Sequence, residues 1–129
     1  MDHVIVWADI PVKDMQRAIA FYGKVTGQPV LPMPGSSDTV AVIGAPSEGG
    51  PGEGGPMRVS ADLYLGGTPT HDGATVYLTS NGDIDGMIAR VKEAGGKVLQ
   101  EKQDMGEMVG WIAFIEDTEG NRIGIQQPA

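Results

Sequence analysis

The chain of 129 residues contains no cysteine, two histidines and only 5% aromatic residues. Without cysteine it can form neither a disulfide nor a thiolate metal centre. Positive charge is also scarce. Nine Lys and Arg stand against seventeen Asp and Glu, a formal net charge of −8. A surface of that sign repels phosphate backbones, and no basic cluster offsets it, so no nucleic-acid partner is expected. No apolar run reaches the length of a membrane span, so no membrane partner is expected. The opening Met1-Asp2-His3 does not begin a basic-then-apolar leader. These absences together lead us to expect a cytoplasmic protein. The rest of the composition, 40% hydrophobic and 20% charged, is that of one globular domain with a single core.

The segment from Val4 to Gly27 reads as a strand, a joint and a helix. Alternation places Val4, Val6, Ala8 and Ile10 on an apolar core face, and Ile5, Trp7 and Asp9 on the other. Asp14 is a helix N-cap candidate. Met15, Ala18, Ile19, Tyr22 and Val25 then form one apolar stripe, and Gly27 with Pro29 ends the helix. Strands are expected at 39–43 and 59–65. Between them, residues 45–56 form a loop rich in Gly, Pro and Glu.

A second cycle follows. Residues 74–80 read as a strand, and Asp83 is an N-cap candidate. Ile84, Met87, Ile88 and Val91 make an apolar stripe that Gly95-Gly96 closes. A strand begins at Lys97, and the charged stretch 100–108 reads as a loop. Residues 110–115 and 122–126 form a hairpin around the turn sequence EDTEGN. Asp14 and Asp83, Ile19 and Ile88, and Gly27 and Gly96 all match at one separation. The chain is therefore expected to be α+β, with two βαβββ modules, about 1–66 and about 73–129, whose curved mixed sheets enclose a central cleft. The helices are expected on the outer faces.

Few residues on the open faces can do chemistry. Asp9 is the best general-base candidate, if burial raises its pKa. Asp62 could project into the same cleft from a neighbouring strand. Two carboxylates alone would make only a weak, oxygen-rich metal site, so no metal or cofactor is expected. His3 and His71 read as solvated. Tyr64 and Tyr77 could donate hydrogen bonds to a ligand, although Tyr77 fits equally well against its helix. Trp7 reads either as the cleft floor or as a stacking platform. The glycines Gly50, Gly52 and Gly55 spell a G-x-G-x-x-G, but Pro56 and a strand pattern follow where a phosphate-binding helix would be needed.

The stretches IPVKDMQRAIAFYGKVTG, DIDGMIARVKEAGGKVL and WIAFIEDTEGNRIGI resemble the vicinal oxygen chelate superfamily, which includes glyoxalase I, bleomycin-resistance proteins and extradiol dioxygenases. The resemblance is greatest to its glyoxalase-related subgroup. It implies the paired-module fold, a homodimer, and four positions on the first and last strands that hold a metal in metal-using members. These positions fall on Trp7, on Val76, on Gly124 and near Ala61 or Asp62. Trp, Val and Gly side chains do not ligate divalent ions. The first reading is therefore a metal-free protein that binds a small, partly apolar molecule through Trp7, Asp9, Asp62, Tyr64, Val76 and Gly124. The alternatives are a lyase or dioxygenase with unusual ligands, a metal-free isomerase with Asp9 as base, and an interaction domain without a ligand.

Overall fold

The computed structural model describes residues 4–36, 38–44 and 59–129. The 45–56 loop, its glycine motif and His3 lie outside the described residues. Ten elements follow in order: β1 (Trp7–Val12), α1 (Met15–Thr26), β2 (Val30–Pro32), β3 (Val40–Ile43), β4 (Ser60–Leu65), β5 (Val76–Thr79), α2 (Ile84–Glu93), β6 (Lys97–Asp104), β7 (Trp111–Glu116) and β8 (Arg122–Gln127). They form two four-stranded mixed sheets, ordered β1-β4-β3-β2 and β5-β8-β7-β6. Each sheet has a helix, and the first and last strands of each module pair in parallel. This is the expected α+β arrangement of two βαβββ modules.

Local chemistry sets both helices. The Asp14 carboxylate accepts from the Arg17 backbone N–H, and that of Asp83 from the Gly86 N–H. Each cap satisfies a donor that the first turn leaves free. Gly27 stops α1 in the left-handed region at φ 69°. There a Cβ would be strained and glycine is not. The buried stripe of α1 contains Phe21 as well as the expected residues, while Ile19 is only partly buried.

The two modules share one core. Ile10, Val12, Ala18, Phe21, Leu63, Met87, Val91, Ile115 and Ile125 all belong to it. Two expectations fail at strand ends. The first strand starts at Trp7, and Val4 and Val6, expected on the core face, are exposed at 95% and 44%. Alternation gives a facing pattern, but burial requires a neighbouring layer, and none covers these residues. Conversely, β6 runs through the charged stretch read as a loop, as far as Asp104. It is the edge strand of its sheet, where exposed charge is normal and no hydrophobic alternation marks the strand.

The β7–β8 turn joins the modules. Glu119 has a buried side chain, and its carboxylate accepts five hydrogen bonds. Four come from the first module: the backbone N–H groups of Lys13 (2.9 Å) and Asp14 (2.8 Å), and Arg17 Nε (2.7 Å) and Nη2 (3.0 Å). The fifth comes from the Thr118 hydroxyl. Asp117 accepts three turn N–H groups on Oδ1, and on Oδ2 the Tyr22 hydroxyl at 2.5 Å and the Asn121 amide. The Asn121 amide also donates to the Pro11 carbonyl.

Burial works against the charge on Glu119, but these donors outweigh it and lower the carboxyl to about 2. Its folded pKa lies below its unfolded value, so its stabilisation is full above the unfolded pKa and is lost as pH falls towards about 2. Glu119→Gln should therefore destabilise the fold at neutral pH by about 3 kcal/mol. It should also flatten the fall in stability below about pH 5. Urea unfolding of both proteins across that pH range measures this.

Candidate ligand groove

The first strands of the two modules, β1 and β5, are the outer strands of their sheets, and a groove of about 760 Å³ lies between the modules. Trp7, Ala8 and Ile43 line it from the first module, and Val76, Tyr77 and Leu78 from the second. Polar groups at its edge come from Thr26, Gln28, Ser60, Thr75, Thr79 and Asn81. A concave, largely apolar space with a few polar groups suits a small organic molecule.

Trp7 is half-buried, and its position is fixed. The indole Nε1–H donates to Asp62 Oδ2 at 2.7 Å. Asp62 sits on β4, two residues beyond the register partner of Trp7, and is only 7% exposed. Asp9 pairs in register with Asp62 on the same face of the sheet. Burial, together with the Asp9 carboxyl beside it, pushes Asp62 up to about 6, against the opposing pull of the indole hydrogen bond. Two neighbouring carboxyls thus resist carrying two charges, and a proton is retained near Asp62 in mildly acid solution.

The other expected residues are distributed unevenly. Val76 lines the groove, but it packs against the core and pairs in register with the core residue Ile123. Its neighbour Tyr77 occupies the open face instead, as the pairing of Tyr77 with Gly124 requires. The second module has one residue more than the first between the core-facing strand position and the helix cap. Counting back from the cap therefore misses by one, and a one-residue slip exchanges the faces of a strand. Of the two residues proposed near the fourth position, Ala61 is in the core and Asp62 is on the open face.

Gly124 lies under the Tyr77 ring. A Cβ placed there would stand 2.4 Å from Tyr77 Cδ1, so the glycine makes room for the aromatic. Tyr64 packs instead against Gly67 and Pro11 and lines neither the groove nor the smaller cavity beside it. Asp9 borders a smaller neighbouring cavity rather than the groove. His71 reaches Glu116 at 2.9 Å near the surface. Sequence reasoning passed over Thr75 and Arg122, which the sheet register brings to the seam.

The geometry defines a two-module protein of mixed sheets with a groove between the modules, and comparison places it in a family. The chain belongs to the glyoxalase/bleomycin resistance protein/dioxygenase superfamily, whose model matches residues 1–125. Solved structures share the fold. A glyoxalase/bleomycin resistance protein from Albidiferax ferrireducens is 20% identical with a TM-score of 0.68, covering 95% of this chain and 98% of that one. An antibiotic-binding protein from a Streptomyces species is 22% identical with a TM-score of 0.62, covering 100% and 98%. A fosfomycin resistance protein from Listeria monocytogenes, complexed with Mn(II), is 14% identical with a TM-score of 0.63, covering 100% and 93%. No curated protein sequence matches the chain.

A metal is implied by some members of this superfamily, and the donor set here does not fit one. Trp7, Asp62, Tyr77 and Gly124 occupy the open-face positions on the first and last strands, and among them only Asp62 is an ordinary ligand for a divalent ion. Among the described residues, no three His, Cys, Asp or Glu side chains are grouped to hold an ion.

The Asp62–Trp7 bond gives a measurable prediction. The folded pKa of Asp62 lies above its unfolded value, so its contribution to stability declines as pH rises from about 4 through about 6. Ionisation changes the charge beside the indole, and Trp7 emission should titrate with a midpoint near pH 6. Asp62→Asn should remove that titration, and so should Trp7→Phe, which leaves Trp111 as the only indole. Steady-state fluorescence between pH 4 and pH 8 checks it.

Proposed function

We propose that the protein binds a small, partly apolar organic molecule in the groove between its modules without transforming it. One observation carries this reading. The Trp7 indole, on the wall of a groove of about 760 Å³, is held by a 2.7 Å hydrogen bond that it donates to the buried Asp62. A fixed aromatic plane offers large contact area, and little conformational freedom is lost when a ligand meets it. Tyr77 supplies a second ring, set edge-on to Phe114 at 5.9 Å between centroids. The polar groups along the edge would orient the ligand rather than react with it.

Two features favour binding over catalysis. Among the described residues the donor set does not suit a metal-assisted reaction, and no nucleophile is paired with a base at the groove wall. Asp9, the general-base candidate, faces the smaller cavity. The family includes resistance proteins, and one structural neighbour is described as an antibiotic-binding protein. The reading also includes a homodimer. Val4, Ile5 and Val6 present apolar side chains at 95%, 67% and 44% exposure, and Ile5 lines the groove. A second copy covering them would extend the groove wall.

Titration with a panel of planar apolar compounds should quench Trp7 emission saturably for at least one of them, leaving the compound chemically unchanged. Trp7→Phe should weaken that binding by about tenfold or more, a loss of about 1.4 kcal/mol. A panel without any quenching, or turnover of the bound compound, overturns the reading. Sedimentation equilibrium tests the dimer, for which a mass of twice the chain is expected.

A further inference from the structure

On the other side of Ala8 and Val76, which line both hollows, lies a second cavity of about 310 Å³. Its walls are β1 around Asp9 and Pro11, the connecting segment around Thr70 and Gly73, and the start of β8. Two charged residues line it, Asp9 from one module and Arg122 from the other. The Trp7 reading does not use Arg122, and it uses Asp9 only as the neighbour of Asp62.

Arg122 is held in place without an ionic partner. Its Nη2 donates to the Thr75 hydroxyl at 2.6 Å, and its guanidinium carbon stands 5.3 Å from the centre of the Phe114 ring. Its buried Nε–H has no acceptor among the described residues. Among the described basic residues, Arg17, Lys24, Lys92 and Lys102 each pair with a carboxylate, whereas Lys13, Arg90, Lys97 and Arg122 pair with none, and of these four Arg122 has the buried N–H without an acceptor. This is the more notable in a chain with seventeen acidic residues and nine basic ones. A partly buried guanidinium with unmet donors is costly, and its planar fork is shaped for a carboxylate. The adjacent Asn121 amide is already committed to Pro11 and Asp117, so it does not compete for that place.

Asp9 determines what kind of carboxylate can enter. Its own negative charge on the opposite wall disfavours a simple anion and attracts a cation. A molecule carrying both charges satisfies the two walls together. We propose that this second cavity binds a small zwitterion of the α-amino acid class, with its carboxylate on Arg122 and its ammonium directed to Asp9. The volume lies at the small end of the range for ligand sites, about 300–1,000 Å³, which suits such a molecule. The site adjoins the Trp7 groove through Ala8, Val76 and the Asp9–Asp62 pair, while its Arg122 wall belongs to this cavity and not to the groove.

The test is NMR titration of the intact protein with the common amino acids, read at the Arg122 Nε–H resonance, with calorimetry on any hit. At least one amino acid should shift that resonance saturably at millimolar concentration. Its des-amino acid and its decarboxylated amine should each bind about tenfold more weakly. Arg122→Met should abolish binding, and Arg122→Lys, which keeps charge but not the fork, should weaken it by about tenfold. Asp9→Asn should reduce the amino acid's advantage over its des-amino analogue. Circular dichroism establishes that each variant is folded, and if Arg122→Met is not, the lysine variant decides. No shift from any amino acid, equal affinity for the des-amino analogue, or unchanged binding by Arg122→Lys overturns the proposal. Trp7 emission senses the Asp9–Asp62 pair as well as the groove, so the Arg122 resonance and the Arg122 variants, which touch neither Trp7 nor Asp62, distinguish failure of this site from failure of the groove.

Discussion

The arrangement of the two modules depends on where two turn carboxylates go. Asp117 and Glu119 are in the second module, yet Glu119 accepts most of its hydrogen bonds from the start of α1, and Asp117 holds the buried Tyr22 hydroxyl. Hydrophobic contact between modules is non-directional and would tolerate sliding. A carboxylate satisfied by two backbone N–H groups and an arginine fork allows only one placement. The groove and the smaller cavity both lie along the seam that this contact fixes. Their shapes therefore depend on an ionic contact that lines neither of them.

A similar economy operates within the first module. Asp62 is buried and raised in pKa, an arrangement that carries an energetic cost. What the cost secures is a fixed indole at the groove wall, where an unbound tryptophan would be free to rotate. The second module has no such pair. There Gly124 removes a side chain so that Tyr77 can lie flat over the sheet. The two halves share a fold and diverge in their open faces, one built around a carboxyl-anchored indole and the other around a phenol ring resting on glycine.

Much of the fold was legible in advance because its signals are local. The Asp14 and Asp83 caps, the apolar stripes of both helices and the turn around EDTEGN each depend on residues within a few positions of one another. The site was legible in part. Trp7 and Asp62 were both singled out, but the hydrogen bond between them joins residues 55 apart in sequence. Val76 was placed on the open face because the repeat was measured from the helix cap. Sheet register, which that count does not include, gives the place to Tyr77. The charged residues of β6 carried no strand signal because an edge strand needs no buried face.

The sequence by itself determined the two-module plan, the helix ends and the small supply of metal-binding side chains, since these follow from nearest-neighbour chemistry and composition. Tertiary structure decided which side of each strand is open, where Arg122 meets Thr75 and Phe114, and that Glu119 joins the halves. Those outcomes rest on strand register and on contacts between distant segments. A one-residue difference in spacing is enough to reverse them, because side chains alternate along a strand.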